Sequence, residues 1–201
     1  MKKILFSLMT LVLVVGLVGA GAFAYFSDTE TSTGNAFAAG TLDLTVNGNN
    51  GTNTVLFNST NMKPGSQPKG TYTLNNIGSI AGYIDIENVS FVSNENTLTE
   101  PEIEAGDTTS DTGELDDVLN VRMFLDYNGD GWISTGDVTF YNGYVKDLPT
   151  HFELNEPIPA GTGVDFVTEI YDWWSTSMDN QAQSDSLVIN VTFELAQTTG
   201  Q

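Results

Sequence analysis

The sequence predicts an all-β protein, a jelly-roll-like antiparallel β-sandwich, on three observations. Short runs rich in β-branched and aromatic residues recur between clusters of Gly, Asn, Asp and Pro. Several of these runs alternate apolar with polar, the mark of a strand with one buried face and one wet face. No stretch after residue 24 sustains a helical period, so the apolar surface is best buried by two antiparallel sheets packed face to face.

The elements follow in order. Residues 1–24 read as a secretory signal peptide: Lys2 and Lys3, an apolar run from Ile4 to Val18, then small residues ending in Ala22-Phe23-Ala24. Signal peptidase would cut between Ala24 and Tyr25, placing the mature chain outside the cell with no stable membrane insertion. The alternative is an uncleaved anchor, because Ile4 to Ala24 is about long enough to span a bilayer. Residues 25–36 form an extended leading segment and a joint, and residues 37–201 a single sandwich domain. Its expected strands are Thr41–Val46, Thr54–Phe57, Thr71–Leu74, Gly82–Ile86, Val89–Val92, Val118–Leu125, Val138–Tyr144, Val164–Tyr171 and Leu187–Leu195. In the last of these Leu187, Ile189, Val191, Phe193 and Leu195 share one face, with Asn190, Thr192 and Glu194 opposite. A short helix near Glu114–Asn120 fits the local pattern.

Between the fifth and sixth runs, Glu100–Asp117 holds eight acidic residues in eighteen and little that belongs in a core. It reads as a long solvated excursion, serving solubility or binding extra cations. Asn-x-Ser/Thr acceptors begin at Asn50, Asn58, Asn88 and Asn190. Asn50, in a Gly/Asn loop, suits a glycan better than Asn190, inside an expected strand.

Composition excludes much chemistry. Six Lys+Arg stand against 26 Asp+Glu, a formal charge of −20. Such a surface repels phosphate backbones, so no nucleic-acid partner is expected. Without cysteine there is no disulfide framework, thiolate metal site or cysteine nucleophile. The one histidine, His151, rules out a two-histidine zinc site within the chain. Carboxylate pairs such as Glu102 and Glu104, or Asp116 and Asp117, arise from composition alone, and no enzyme activity is expected. Adjacent Trp173 and Trp174 point to opposite faces of a strand, one toward the core and one toward a sugar or a neighbouring subunit.

The sharpest local motif runs from Asp126 to Asp137. Asp126, Asn128, Asp130, Ser134 and Asp137 offer side-chain oxygens at loop positions one, three, five, nine and twelve. Gly131 stands at position six, where such a loop turns sharply. Trp132 at position seven would give its carbonyl, and Ile133 at position eight an apolar anchor. This is the donor set of a Ca2+ loop, with a shorter Asp in place of the usual bidentate Glu, as in dockerin loops. The alternative is a metal-free turn joining two strands. In a chain without disulfides the ion's role would be structural.

Five separated segments remain: Tyr25-Phe26-Ser27-Asp28-Thr29-Glu30, then Asn35-Ala36-Phe37-Ala38-Ala39-Gly40-Thr41-Leu42-Asp43-Leu44, Met62-Lys63-Pro64-Gly65, Leu74-Asn75-Asn76-Ile77-Gly78-Ser79, and Asn180 to Asp185 leading into Val191–Gln197. In their order and spacing they resemble the TasA/camelysin family of secreted fibre-forming proteins, which includes archaeal bundling-pilus subunits. The resemblance implies a jelly-roll subunit whose first residues, Tyr25 to Thr33 and so including Thr31 and Ser32, leave their own domain and complete a sheet of the next copy. Physics is compatible with that. An extended peptide satisfies the unpaired N–H and C=O groups of a sheet edge, and a head-to-tail contact that does not close on itself makes a filament. Asp28 and Glu30 share a strand face with Phe26, so that face must leave the core quickly. The alternative for this segment is a frayed terminus.

The resulting expectation is a secreted structural subunit of a pilus-like or biofilm-matrix filament, partnered by copies of itself and stabilised by Ca2+. A monomeric polysaccharide-binding module is the second reading. A metallopeptidase is the third, since some members of the family carry that label. His151-Phe152-Glu153 supplies only one imidazole and one near carboxylate for it.

Overall fold

The computed structural model describes residues 40–51, 54–59, 66–171 and 180–200. The leader, the leading segment 25–36, Met62–Gly65 and Trp173-Trp174 lie outside the described residues. Nine strands are described: β1 (Leu44–Val46), β2 (Thr54–Ser59), β3 (Lys69–Asn76), β4 (Gly82–Asn94), β5 (Asn120–Asp126), β6 (Val138–Tyr144), β7 (Phe152–Ile158), β8 (Thr162–Tyr171) and β9 (Ser186–Ala196). Two short helices, α1 (Glu100–Ala105) and α2 (Leu115–Val118), sit between β4 and β5.

The strands form a five-stranded sheet, β1-β3-β8-β5-β6, and a four-stranded sheet, β2-β9-β4-β7. Every pairing is antiparallel, and the pairs nest: β5 with β6 innermost, then β4 with β7, β3 with β8, and β2 with β9. That is the course of one long hairpin wound around a barrel-like core and split into two sheets, which defines a jelly roll. The expected all-β sandwich is the architecture found.

The core is where the two inner faces meet. On β9, Leu187, Ile189, Val191 and Phe193 are at most 1% exposed, as the alternation requires. From the other sheet Val121, Met123, Leu125, Phe166 and Ile170 face them, fully buried. Phe166 and Phe193 meet edge to face across the gap with ring centroids 4.9 Å apart.

Four readings need correction. Gly82–Ile86 and Val89–Val92 are one strand, β4, whose register shifts between Ile86 and Asn88. Glu87 is the extra residue of a bulge, which bends the strand without ending it. Strand β5 begins at Asn120, because Val118 closes α2. Strand β7 was not anticipated: Asn155 with φ 54° and Pro157 are poor strand residues, tolerated because β7 is an edge. Finally, Glu100–Asp117 is solvated only in part: ten of its eighteen residues are exposed, but Leu115, Glu102 and Asp107 turn inward at 1%, 0% and 5% exposure.

The outer face of the five-stranded sheet also departs from simple alternation. Phe124 and Val167 are cross-strand partners, both fully buried, although they lie on the face opposite Val121, Met123 and Phe166. Beside them Glu169, 6% exposed, receives the Nε and Nη2 of Arg122 on one carboxylate oxygen. Arg122 in turn lies over the Tyr171 ring, 5.0 Å from its centroid.

Candidate functional site

The loop Asp126–Asp137 connects β5 to β6 at one end of the five-stranded sheet. Its geometry follows from Asp126, which is 1% exposed at the end of a strand. One carboxylate oxygen accepts the backbone N–H of Asn128 (3.1 Å) and Gly129 (2.7 Å), and the other that of Gly131 (2.6 Å). Three donors converging on one carboxylate curl the chain around it. Gly131 takes φ 75°, the left-handed conformation expected at position six, where a side chain would be strained. Asn128 accepts the N–H of Asp130 and donates to the side chains of Asp130 (2.9 Å) and Ser134 (3.0 Å). Asp130 accepts the N–H of Trp132 at 2.7 Å.

Asp137 closes the loop. It accepts the N–H of Tyr127 at 3.0 Å and both the N–H (2.7 Å) and the hydroxyl (3.0 Å) of Ser134. Burial works to raise its carboxyl, but the hydrogen bonds from Tyr127 and Ser134 outweigh it and hold the group below its ordinary value. Tyr127 donates its hydroxyl to Glu156, and burial first, then that carboxylate, push the phenol up to about 12.

All six expected ligand residues are therefore gathered in one twelve-residue loop. Its three aspartates are spread along a hydrogen-bonded ring and do not form a trio with oxygens mutually within 4.8 Å. Ile133 does not anchor the loop. It is 41% exposed and Trp132 63% exposed. What ties the loop down is Lys69, whose ammonium donates to the Gly131 carbonyl at 2.6 Å and lies 4.0 Å from the centre of the Trp132 ring. A lysine 62 residues before the glycine that it holds carries no local signal, so the sequence alone does not point to it.

A second feature is a hollow of about 360 Å3 lined by Leu42, Leu44, Phe193 and Leu195, with Asp43, Glu87 and Glu194 at hand. Among the described residues the pairing of β2 with β9 runs as far as Thr54↔Thr192, while β9 continues to Ala196. Beyond Thr192, β9 has β4 on one flank and no described strand on the other.

The glycan acceptors fall in different settings. Asn50 is exposed, but its amide donates to Asp43 at 2.9 Å. Asn58 is exposed on edge strand β2, Asn88 is exposed at the β4 bulge, and Asn190 is half-buried in central β9. His151 is exposed just before β7, next to exposed Glu153. The donor residues Tyr25–Thr33 and the cleavage pair Ala24 and Tyr25 lie outside the described residues. Among the described residues no helix is long and apolar enough to cross a membrane.

Fold and loop together define a jelly-roll domain with an acidic, oxygen-rich turn at one end. Residues 1–130 match the family model of camelysin metallo-endopeptidase, and the chain belongs to that family. No match is found among curated proteins. The matched span takes in both helices and the start of the acidic turn.

Proposed function

We propose that the protein is a structural subunit of an extracellular filament, assembled when the leading strand of one copy completes a sheet of the next. The observation that carries this reading is the run of β9 beyond Thr192. Among the described residues no strand pairs with Phe193–Ala196 on the flank that β2 takes further along, and these residues border a mainly polar hollow floored by Leu42, Leu44 and Leu195. An added strand would satisfy the backbone groups of that edge, and Tyr25 and Phe26 would cover the Leu42, Leu44 and Leu195 floor. The acidic rim of Asp43, Glu87 and Glu194 suits a positive charge. Cleavage after Ala24 would supply one, the free α-amino group of Tyr25. A repeated head-to-tail contact of this kind propagates as an open fibre.

The loop Asp126–Asp137 is assigned a Ca2+ ion that stiffens the β5–β6 connection. Its support is the set of hard oxygens in calcium-loop order and the left-handed Gly131. Copies carrying so much negative charge also need cations to associate laterally.

The family description names a peptidase. Against that activity stand the single histidine of the chain and the exposed placement of His151 and Glu153. A sugar-binding module draws on exposed Trp132, whose ring rests on Lys69, but one aromatic platform does not make a groove.

Electron microscopy of the processed protein tests the proposal. Chains beginning at Tyr25 should form filaments, and chains lacking Tyr25–Thr33 should remain dispersed and folded. Filaments of equal length from both would remove the leading strand from the mechanism.

A further inference from the structure

The connection between β4 and β5 gathers five carboxylates at the opposite end of β9 from the hollow. Glu95 follows β4, Glu102 lies in α1, Asp107 follows that helix, Glu114 precedes α2, and Asp185 precedes β9. Their oxygens form two adjoining trios, Glu95, Glu102 and Asp185, and Glu95, Asp107 and Glu114, each with atoms mutually within 4.8 Å. Glu102, Asp107 and Asp185 are 0%, 5% and 3% exposed. Gly113 packs so tightly here that a Cβ would come within 2.9 Å of the Asp185 carboxyl carbon and 2.7 Å of the Asn94 carbonyl carbon.

The five are held in a similar way. One oxygen accepts a hydrogen bond: Glu95 from the N–H of Thr97, Glu102 from that of Thr99, Asp107 from that of Thr109, and Asp185 from the N–H of Glu114, while the single proton of the Thr109 hydroxyl is within reach of Glu114 and Asp107 alike, at 2.9 Å from each. The other oxygen is buried in each, with no hydrogen-bond partner for Glu102, Asp107 and Glu114, while Glu95 and Asp185 face each other close enough to share a proton. Buried carboxylates left half-satisfied are costly, and several in one place more so. No described basic side chain answers them. Among the described residues Lys69 serves Gly131, Lys146 pairs with Asp117, and Arg122 pairs with Glu169. Burial first, and then the charges of Glu95 and Glu114, push the Asp185 carboxyl up to about 7. Glu95 and Glu114 are raised too, chiefly by burial.

We infer that these five residues bind a hard divalent cation of the calcium class, with Glu95 shared between the two trios. The donor set is all oxygen and highly charged, as calcium prefers, and calcium–oxygen distances of about 2.3–2.6 Å place opposed ligands at about the spacing found. The hydrogen bonds on the outer oxygens hold the inner ones aimed, which is how supporting contacts pre-arrange a metal site. The ion would join the start of β9 to the β4–β5 connection, reinforcing the hydrogen bonds from Glu114 to Asp185 and from Asn96 to Ser184 that already link them.

The test uses the secreted chain stripped with chelator, carrying Asp130→Asn and Asp137→Asn so that the β5–β6 loop does not compete. Calorimetric titration with CaCl2 should show binding, and the melting temperature should rise. Adding Glu102→Gln and Asp185→Asn should weaken binding by about tenfold or more, since affinity follows ligand charge, and should raise the melting temperature of the calcium-free protein by relieving repulsion. Binding that is absent in the loop variant, or unchanged by the added substitutions, would overturn the assignment. A measurement free of variants guards against misfolding. In hydrogen exchange of the unaltered chain, calcium should slow residues 95–114 and 182–187. Protection confined to residues 126–137 would also overturn it.

Discussion

Glu169 shows how one residue sets the cost of its neighbour. Its carboxylate is 6% exposed on the outer face of the five-stranded sheet, and the Arg122 guanidinium is its ionic partner. Removing one member of a buried pair strands the other charge, so Arg122→Ala should destabilise the fold by about 3–5 kcal/mol. Replacing both members, Arg122→Met with Glu169→Leu, should restore much of that loss, which urea denaturation reads directly. Tyr141 makes a pH-dependent contribution. Burial first, then Asp147 and Tyr171, raise its phenol above 10.0, and its hydroxyl donates to the Tyr144 carbonyl. The unfolded chain ionises at the ordinary value while the folded chain keeps its proton. Stability from this group is thus full below pH 10.0 and falls as pH rises through the folded-state pKa. Tyr141→Phe should lose about 1 kcal/mol at neutral pH and flatten that alkaline decline in a melting-temperature series.

The elements differ in how openly the sequence announces them. Strand β9 was legible because Leu187, Ile189, Val191 and Phe193 alternate with polar residues and end at a turn. Strand β7 was not, because an edge tolerates the Asn and Pro that a central strand rejects. The calcium-like loop was legible as a spacing, down to the turn at Gly131, but Lys69 was not, since a contact between β3 and the β5–β6 connection exists only after folding. Gly131→Ala forces a side chain into φ 75° and should cost about 1–2 kcal/mol, read by chemical denaturation with and without calcium. The β4–β5 connection misled because eight acidic residues in eighteen suggest solvation. Its countersignal was present. Thr99-Glu100-Pro101-Glu102 is a capping box with proline in the first turn, which starts α1 and draws Glu102 inward.

At the scale of the whole molecule, the jelly roll closes nearly every described strand against a partner, and among the described residues none pairs with β9 beyond Thr192 on the β2 flank. The filament reading requires the leading residues of another copy to lie against that run. The chain has no cysteine, so a pair introduced by substitution reports on this contact without competition. The most direct measurement is oxidation of the processed protein carrying Tyr25→Cys and Glu194→Cys, followed by non-reducing electrophoresis. Strand exchange between copies predicts a ladder of covalently linked multimers that collapses to a single band on reduction. A band of monomer mass alone, whether cross-linked within one chain or not cross-linked at all, would contradict it.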